Sequence, residues 1–207
     1  MRVIALEYHD VLRGGDFAAS GFTEPGADSY KLTARAFEAH LEAVAASGAR
    51  AGLAIGEVLA SPDGGRADGR PPVVLTFDDG GCSAISEIAP RLEARGWRGH
   101  FFMTTGRIGA PGFLSGAELR ELHARGHVIG SHSHTHPIRM SACSPDSLRA
   151  EWADSIALLS DVLGLAVETA SVPGGYFSRA VAELAAGAGI RTLFTSEPSS
   201  RSTRVDG

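Results

Sequence analysis

Short apolar runs alternate with stretches whose apolar residues recur every three or four positions, nearly from one end of the chain to the other. The run over 3–8 reads as a strand. A Gly-rich polar stretch over 13–29 follows, long enough to be a mobile loop or one that shapes a site. Thr33 is a predicted N-cap for a helix carrying Phe37, Leu41, Val44 and Ala45, stopped at Gly48. The apolar piece over 53–59 fits either element, and 61–70, rich in Gly, Asp and Arg, reads as a surface loop. Val73-Val74-Leu75-Thr76-Phe77, entered through Pro71-Pro72, is apolar on both faces, the signature of a buried parallel strand. Asp78-Asp79-Gly80-Gly81 breaks it. A helix then runs towards Arg95 and ends at Gly96, kinked or restarted at Pro90.

A strand over 100–104 and a capping-box helix begun by Ser115 and Glu118 come next. A short strand over 127–130 leads into Ser131-His132-Ser133-His134-Thr135-His136-Pro137. Ser144 and Pro145 open a long helix carrying Leu148, Trp152, Ile156 and Leu159, closed by Gly164. A strand over 166–172, a helix over 178–186 and a strand over 191–195 complete the pattern. The alternation predicts an α/β fold with a mostly parallel sheet. One domain is expected over 1–195, with a polar tail over 196–207.

With 207 residues, 43% of them hydrophobic, the chain can bury a real core, so wholesale disorder is excluded. A net charge of −5 argues against a nucleic-acid partner. Two cysteines, Cys82 and Cys143, rule out a disulfide-stapled fold and a cysteine-rich zinc module. Lysine occurs once, as Lys31, which reads as composition bias rather than function. No apolar stretch is long enough for a transmembrane segment. The first ten residues read as a strand rather than a signal peptide, so a cytoplasmic location is expected if Met1 is the natural start.

The chemistry-bearing residues follow strands, where parallel α/β folds carry their functional loops. Asp78 and Asp79 end one strand; His132, His134 and His136 lie just beyond another. One carboxylate with two imidazoles is a ligand set for a divalent metal with open positions, and the adjacent carboxylate is free to act as a base. An Asp-Asp-Gly taken alone is more often a turn, and three nearby histidines can decorate a solvated loop. Both clusters together favour the metal.

Thr76-Phe77-Asp78-Asp79-Gly80 and His132-Ser133-His134-Thr135-His136-Pro137 resemble the first two motifs of the polysaccharide deacetylases of the NodB-homology type, carbohydrate esterase family 4. His100-Phe101-Phe102-Met103 and 126–132 are similar to the family as well. The resemblance implies a distorted or incomplete (β/α) barrel. It implies Asp79, His132 and His136 as ligands of a divalent ion, zinc by default, and Asp78 as catalytic base. The implied substrate is an N-acetylated sugar in a glycan or glycoconjugate, deacetylated by water. His134 is left without a role.

Ser171-Val172-Pro173-Gly174-Gly175 falls where the family has its third motif. Pro173 and Gly175 match; Ser171 replaces the arginine that orients the base, and Gly174 replaces an aromatic. The Gly174 N–H is a candidate oxyanion donor; a plain Pro-Gly-Gly turn explains these residues equally well. The family's C-terminal histidine motif is absent, yet 4–10, ending in Tyr8-His9-Asp10, resembles it, as in a circular permutation. His40 and His123 fall on helix patterns, and His100 and His127 begin strands at the opposite rim. His9, at a strand end like Asp78, is therefore the expected general acid. Two rival readings share these residues: a deformylase or other C–N hydrolase, and a non-catalytic glycan-binding relic.

Overall fold

A computed structural model describes all residues except 1, 25, 65, 67–68, 199–201 and 206–207. Part of the 61–70 loop and part of the expected tail therefore lie outside the described residues. Six strands form one parallel sheet in the order β1 (Ile4–Tyr8), β4 (Val73–Phe77), β5 (His100–Met103), β6 (Val128–Ser131), β7 (Thr169–Ser171) and β8 (Thr192–Phe194). A two-stranded parallel ladder of β2 (Val11–Leu12) and β3 (Leu32–Thr33) stands beside it. The sheet curls into a half-barrel flanked by helices. Beyond β8 the chain returns to the other edge, where the Ser196 hydroxyl donates to the Glu7 carboxylate at 2.9 Å.

The helices obey their sequence signals. Thr33, Ser115, Ser144 and Ser178 accept N-terminal backbone N–H groups for α1 (Ala34–Ala46), α4 (Gly116–Ala124), α5 (Pro145–Leu163) and α6 (Arg179–Gly187). Gly164 closes α5 at φ 71°, a conformation a side chain would strain. The ambiguous 53–59 piece overlaps α2 (Ile55–Ala60), whose first N–H donates to the buried Nε2 of His100 at 2.9 Å. Pro90 marks a change of helix type: a π-type turn over Ala84–Ile88 runs into α3 (Ala89–Glu93), with Pro90 in its first turn.

Between the helices and the sheet lies a core built on Phe37, Leu41, Leu75, Phe77, Phe101, Leu119 and Leu159. A second cluster around Trp152, Leu148, Val172 and Val181 fixes β7 and α6. Each buried side chain of this size contributes about 1.5–3 kcal/mol relative to exposure.

The stretch over 13–29 is more ordered than its composition suggests. It holds a 3-10 turn at Phe17–Ala19 and most of another at Ala27–Tyr30. Lys31 organises it and is not a compositional accident: its side chain is 2% exposed, and its ammonium donates to the carbonyls of Phe17 and Phe22. A buried ammonium needs such partners.

Candidate active site

Strand register brings the site together. Tyr8 pairs with Phe77, so His9 and Asp78 leave neighbouring strands side by side, and the Asp78 N–H donates to the Tyr8 carbonyl at 2.9 Å. Ser131 pairs with Ala170, which sets His132 beside Ser171. All four residues stand at the carboxyl end of the sheet. The sequence-predicted His40 and His123 lie on α1 and α4, and His100 and His127 at the opposite end.

Asp79 turns back into the site through a left-handed backbone, φ 74°. The described residues hold two other non-glycine positive φ values, Ser133 at 63° and His136 at 61°, both in the histidine loop. Such conformations are uncommon outside glycine and persist where the surroundings enforce them. Gly80 after Asp79 takes φ 86°, which favours glycine, and a Cβ there would also stand 2.8 Å from the Met103 sulfur.

A set of polar contacts that sequence reasoning did not find holds the histidine loop. Glu151, from α5, accepts the backbone N–H groups of His134 and Thr135, each at 2.8 Å. Ser133 Oγ accepts the His136 N–H at 3.1 Å. His134, left without a role by the sequence, bonds Thr105 Oγ1 through Nδ1 at 2.9 Å and accepts the Gly106 N–H on its carbonyl. It shapes the loop and stays outside the group formed by Asp79, His132 and His136.

Asp79, His132 and His136 offer ligand atoms that all lie within 4.8 Å of one another. Nε2 of each imidazole stands 3.6 Å from Asp79 Oδ1, too far for a hydrogen bond. That oxygen is buried and has no hydrogen-bond partner. An orphaned carboxylate oxygen between two imidazole nitrogens fits a divalent cation and is costly without one.

Ser171 occupies the place of the expected arginine and takes over a different task. Its hydroxyl donates to Asp78 Oδ1 at 3.1 Å and lies 2.6 Å from His132 Nδ1. With its proton given to Asp78, it accepts from Nδ1–H and leaves the Nε2 lone pair of His132 facing Asp79. Among the described residues no arginine pairs with Asp78; the basic side chain within 4 Å of its carboxylate is the imidazole of His132, at 3.7 Å. Pro173 is buried, and Gly174 takes φ 62° in the turn that follows.

Burial pushes Asp78 well above the usual carboxylate range, with Glu7 and Asp79 adding to it and the Ser171 hydrogen bond opposing it. Burial and the nearby Asp10 push Asp79 up to about 7. Burial holds His132 and His136 below the usual imidazole value, with His136 adding to the effect on His132. Burial, then repulsion from His136, brings His9 down to about 4. Burial thus favours the uncharged form of each of these groups. His9 forms a second group with Glu7 and Asp78, again with ligand-type atoms within 4.8 Å.

Glu7 and Asp10 also escaped the sequence reading. Asp10 Oδ1 accepts from Ser20 and Ser83 at 2.5 and 2.6 Å and ties the 13–29 segment to the site. Phe22 of that segment lies 5.0 Å from the His136 ring and packs edge-on against Phe113.

The chain is similar to several known proteins. The chain is 27% identical over 130 residues to Bacillus subtilis (strain 168) YxkH, whose name assigns it to the polysaccharide deacetylases; the match covers 63% of this chain and 46% of YxkH. It is 34% identical over 101 residues to a gellan lyase of a Bacillus species, covering 49% of this chain and 4% of that protein. The chain thus spans less than half the length of either relative. In fold it resembles IcaB from Ammonifex degensii (TM-score 0.78, 22% identity, 94% of this chain and 83% of that one). It also resembles a de-N-acetylase from Aggregatibacter actinomycetemcomitans (TM-score 0.78, 19% identity, 96% and 89%). The family model described as polysaccharide deacetylase matches residues 65–193, from before β4 into β8, and the chain belongs to that family.

Proposed function

We propose that this chain hydrolyses the N-acetyl group of an amino sugar in a glycan, with Asp79, His132 and His136 holding one divalent ion. Zinc suits two imidazoles and a carboxylate with open positions. The observation that carries the reading is the partnerless Asp79 oxygen facing both Nε2 atoms at 3.6 Å. When bound, the ion supplies Lewis acidity towards water and the acetamido carbonyl.

The chain's own residues move the protons. Asp78, with its raised proton affinity, takes a proton from the attacking water. Ser171 fixes the Asp78 carboxylate by a hydrogen bond to Oδ1. His9 is neutral near pH 7, so it acts by relaying to the departing amine a proton received from Asp78, its close neighbour. The Gly174 N–H, in the turn after Ser171, is the oxyanion donor in this reading. Phe22 and Phe113 wall the His136 side and limit water there.

Acetate release from N-acetylglucosamine oligomers tests the reading, using protein stripped of metal and protein reloaded with zinc. Release confined to the reloaded protein is the expected result. Formate release from N-formyl sugars alone would turn the reading to a deformylase, and binding without turnover to a glycan-binding module.

A further inference from the structure

We propose that Glu151 and Ser155, on α5, are positioning residues for the cation: they hold the histidine loop in the shape that sets His136 beside His132, and so fix the affinity of the site from outside the ligand set. This rests on the metal reading above and names what keeps that site assembled.

The buried stripe of α5 runs Leu148, Trp152, Ser155 and Leu159. Three of its members are large and apolar. Ser155 is fully buried among them, and a hydroxyl there is costly unless it is bonded. Its Oγ lies 2.6 Å from Ser131 Oγ, which in turn accepts the Ser133 N–H at 3.1 Å. Glu151, one turn earlier on the helix, reaches the same loop. Its Oε2 accepts the N–H groups of His134 and Thr135, and its Oε1 accepts the Thr135 hydroxyl.

These bonds bracket the strained part of the loop. Ser133 and His136 are both left-handed, at φ 63° and 61°, and neither is the glycine such a backbone favours. The Ser133 N–H is tied to α5 through Ser131. Thr135, the residue before His136, places both its N–H and its hydroxyl on Glu151. Thr105 and Gly106 hold the loop from the other side, but through the carbonyls of Ser133 and His134 alone. The bond from the His136 N–H to Ser133 Oγ closes the loop on itself without fastening it to the fold. Released from α5, the loop relaxes towards ordinary dihedrals and carries His136 with it. A ligand already in place needs no ordering when the cation arrives, and that preorganisation is expressed as affinity.

Zinc affinity by chelator competition and the visible absorption of cobalt(II)-loaded protein are measured for the wild type, Glu151→Ala, Glu151→Gln and Ser155→Ala. Thermal unfolding of the metal-free proteins is followed alongside. Gln can keep the three contacts, its amide oxygen accepting both N–H groups and its NH2 donating to Thr135 Oγ1; Ala removes all three. Glu151→Ala should lose about 10–100-fold in zinc affinity and alter the cobalt spectrum, with metal-free unfolding little changed. Glu151→Gln should stay within about threefold of the wild type, since neutral bonds replace charge-assisted ones. Ser155→Ala should lose about 2- to 10-fold, the equivalent of one buried hydrogen bond. Should Glu151→Ala not fold, Glu151→Asp, one methylene short of the loop, replaces it with the same expectation.

Unchanged affinity and spectrum in the shortened variant overturn the proposal. So does a Gln variant as weak as Ala, which makes charge and not placement the cause, or a loss matched by general destabilisation of the metal-free protein. A wild type that binds neither ion overturns the metal reading and this proposal together; a wild type that binds, with an Ala variant that binds equally, overturns this proposal alone.

Discussion

At the amino end of the strands, His100 and His127 are buried and each ring nitrogen has a partner. His100 accepts the Ile55 N–H and donates to the Leu75 carbonyl; His127 accepts the Gly99 N–H and meets Glu93 at 2.9 Å. At the carboxyl end, His132 is equally buried, yet its Nε2 and that of His136 look across 3.6 Å at a carboxylate oxygen with no hydrogen bond at all. The same residue types on the same sheet thus serve two ends. Burial does not separate them; completeness of hydrogen bonding does. The satisfied imidazoles of His100 and His127 hold the fold together, and those of His132 and His136 turn a nitrogen towards a carboxylate oxygen that has no hydrogen-bond partner.

Substitutions should split along this division. Asp79→Asn or His132→Ala should lower affinity for a divalent ion by more than the roughly 10–100-fold that loss of an outer partner costs, and abolish turnover. Metal analysis after dialysis checks the first effect. Asp78→Asn should keep the ion and lose about 10²–10⁴ in kcat, since it removes only a proton acceptor; His9→Ala should keep the ion and lose about 10². Equal metal loss in the Asp78 and Asp79 variants would erase the difference drawn between those neighbours. Ser171→Ala frees both Asp78 and His132 from their shared hydroxyl and should cost about 10–100-fold in metal affinity or rate.

The amino end should respond in stability alone. His127→Ala strands the buried Gly99 N–H and should cost about 1–3 kcal/mol in denaturant unfolding, with turnover per folded molecule unchanged. His100 sharpens the contrast through pH. Burial brings its folded value down to about 4, below the ordinary 6.5. As pH falls, the unfolded chain takes up the proton first, so stability present above pH 6.5 drains between there and pH 4. The loss attributable to His100 reaches about 3 kcal/mol. A His100→Gln variant with the same pH profile as the wild type would contradict this.

Much of this was legible beforehand, for physical reasons. Helix starts at Thr33, Ser115, Ser144 and Ser178 are local chemistry, and the apolar run over Val73–Phe77 admits one environment. Asp78, Asp79, His132 and His136 stood out because each pair is close in sequence and follows a strand. Contacts between remote residues left no such trace. Glu151 sits on an ordinary amphipathic helix, and nothing in its neighbours tells that it clamps the histidine loop. Ser171 looked like a loss relative to the family pattern, because the pattern names a residue type and not a hydrogen-bonding task. The single lysine looked like codon bias, because one residue has no periodicity to read.

That lysine has a practical side. Lys31 is the one side-chain amine in the sequence, and its side chain is 2% exposed. An amine-reactive label can reach it only when the carbonyls of Phe17 and Phe22 let go of its ammonium. The rate of its modification therefore times the opening of the segment that sets Phe22 against His136, one residue serving as a built-in stopwatch for access to the cleft.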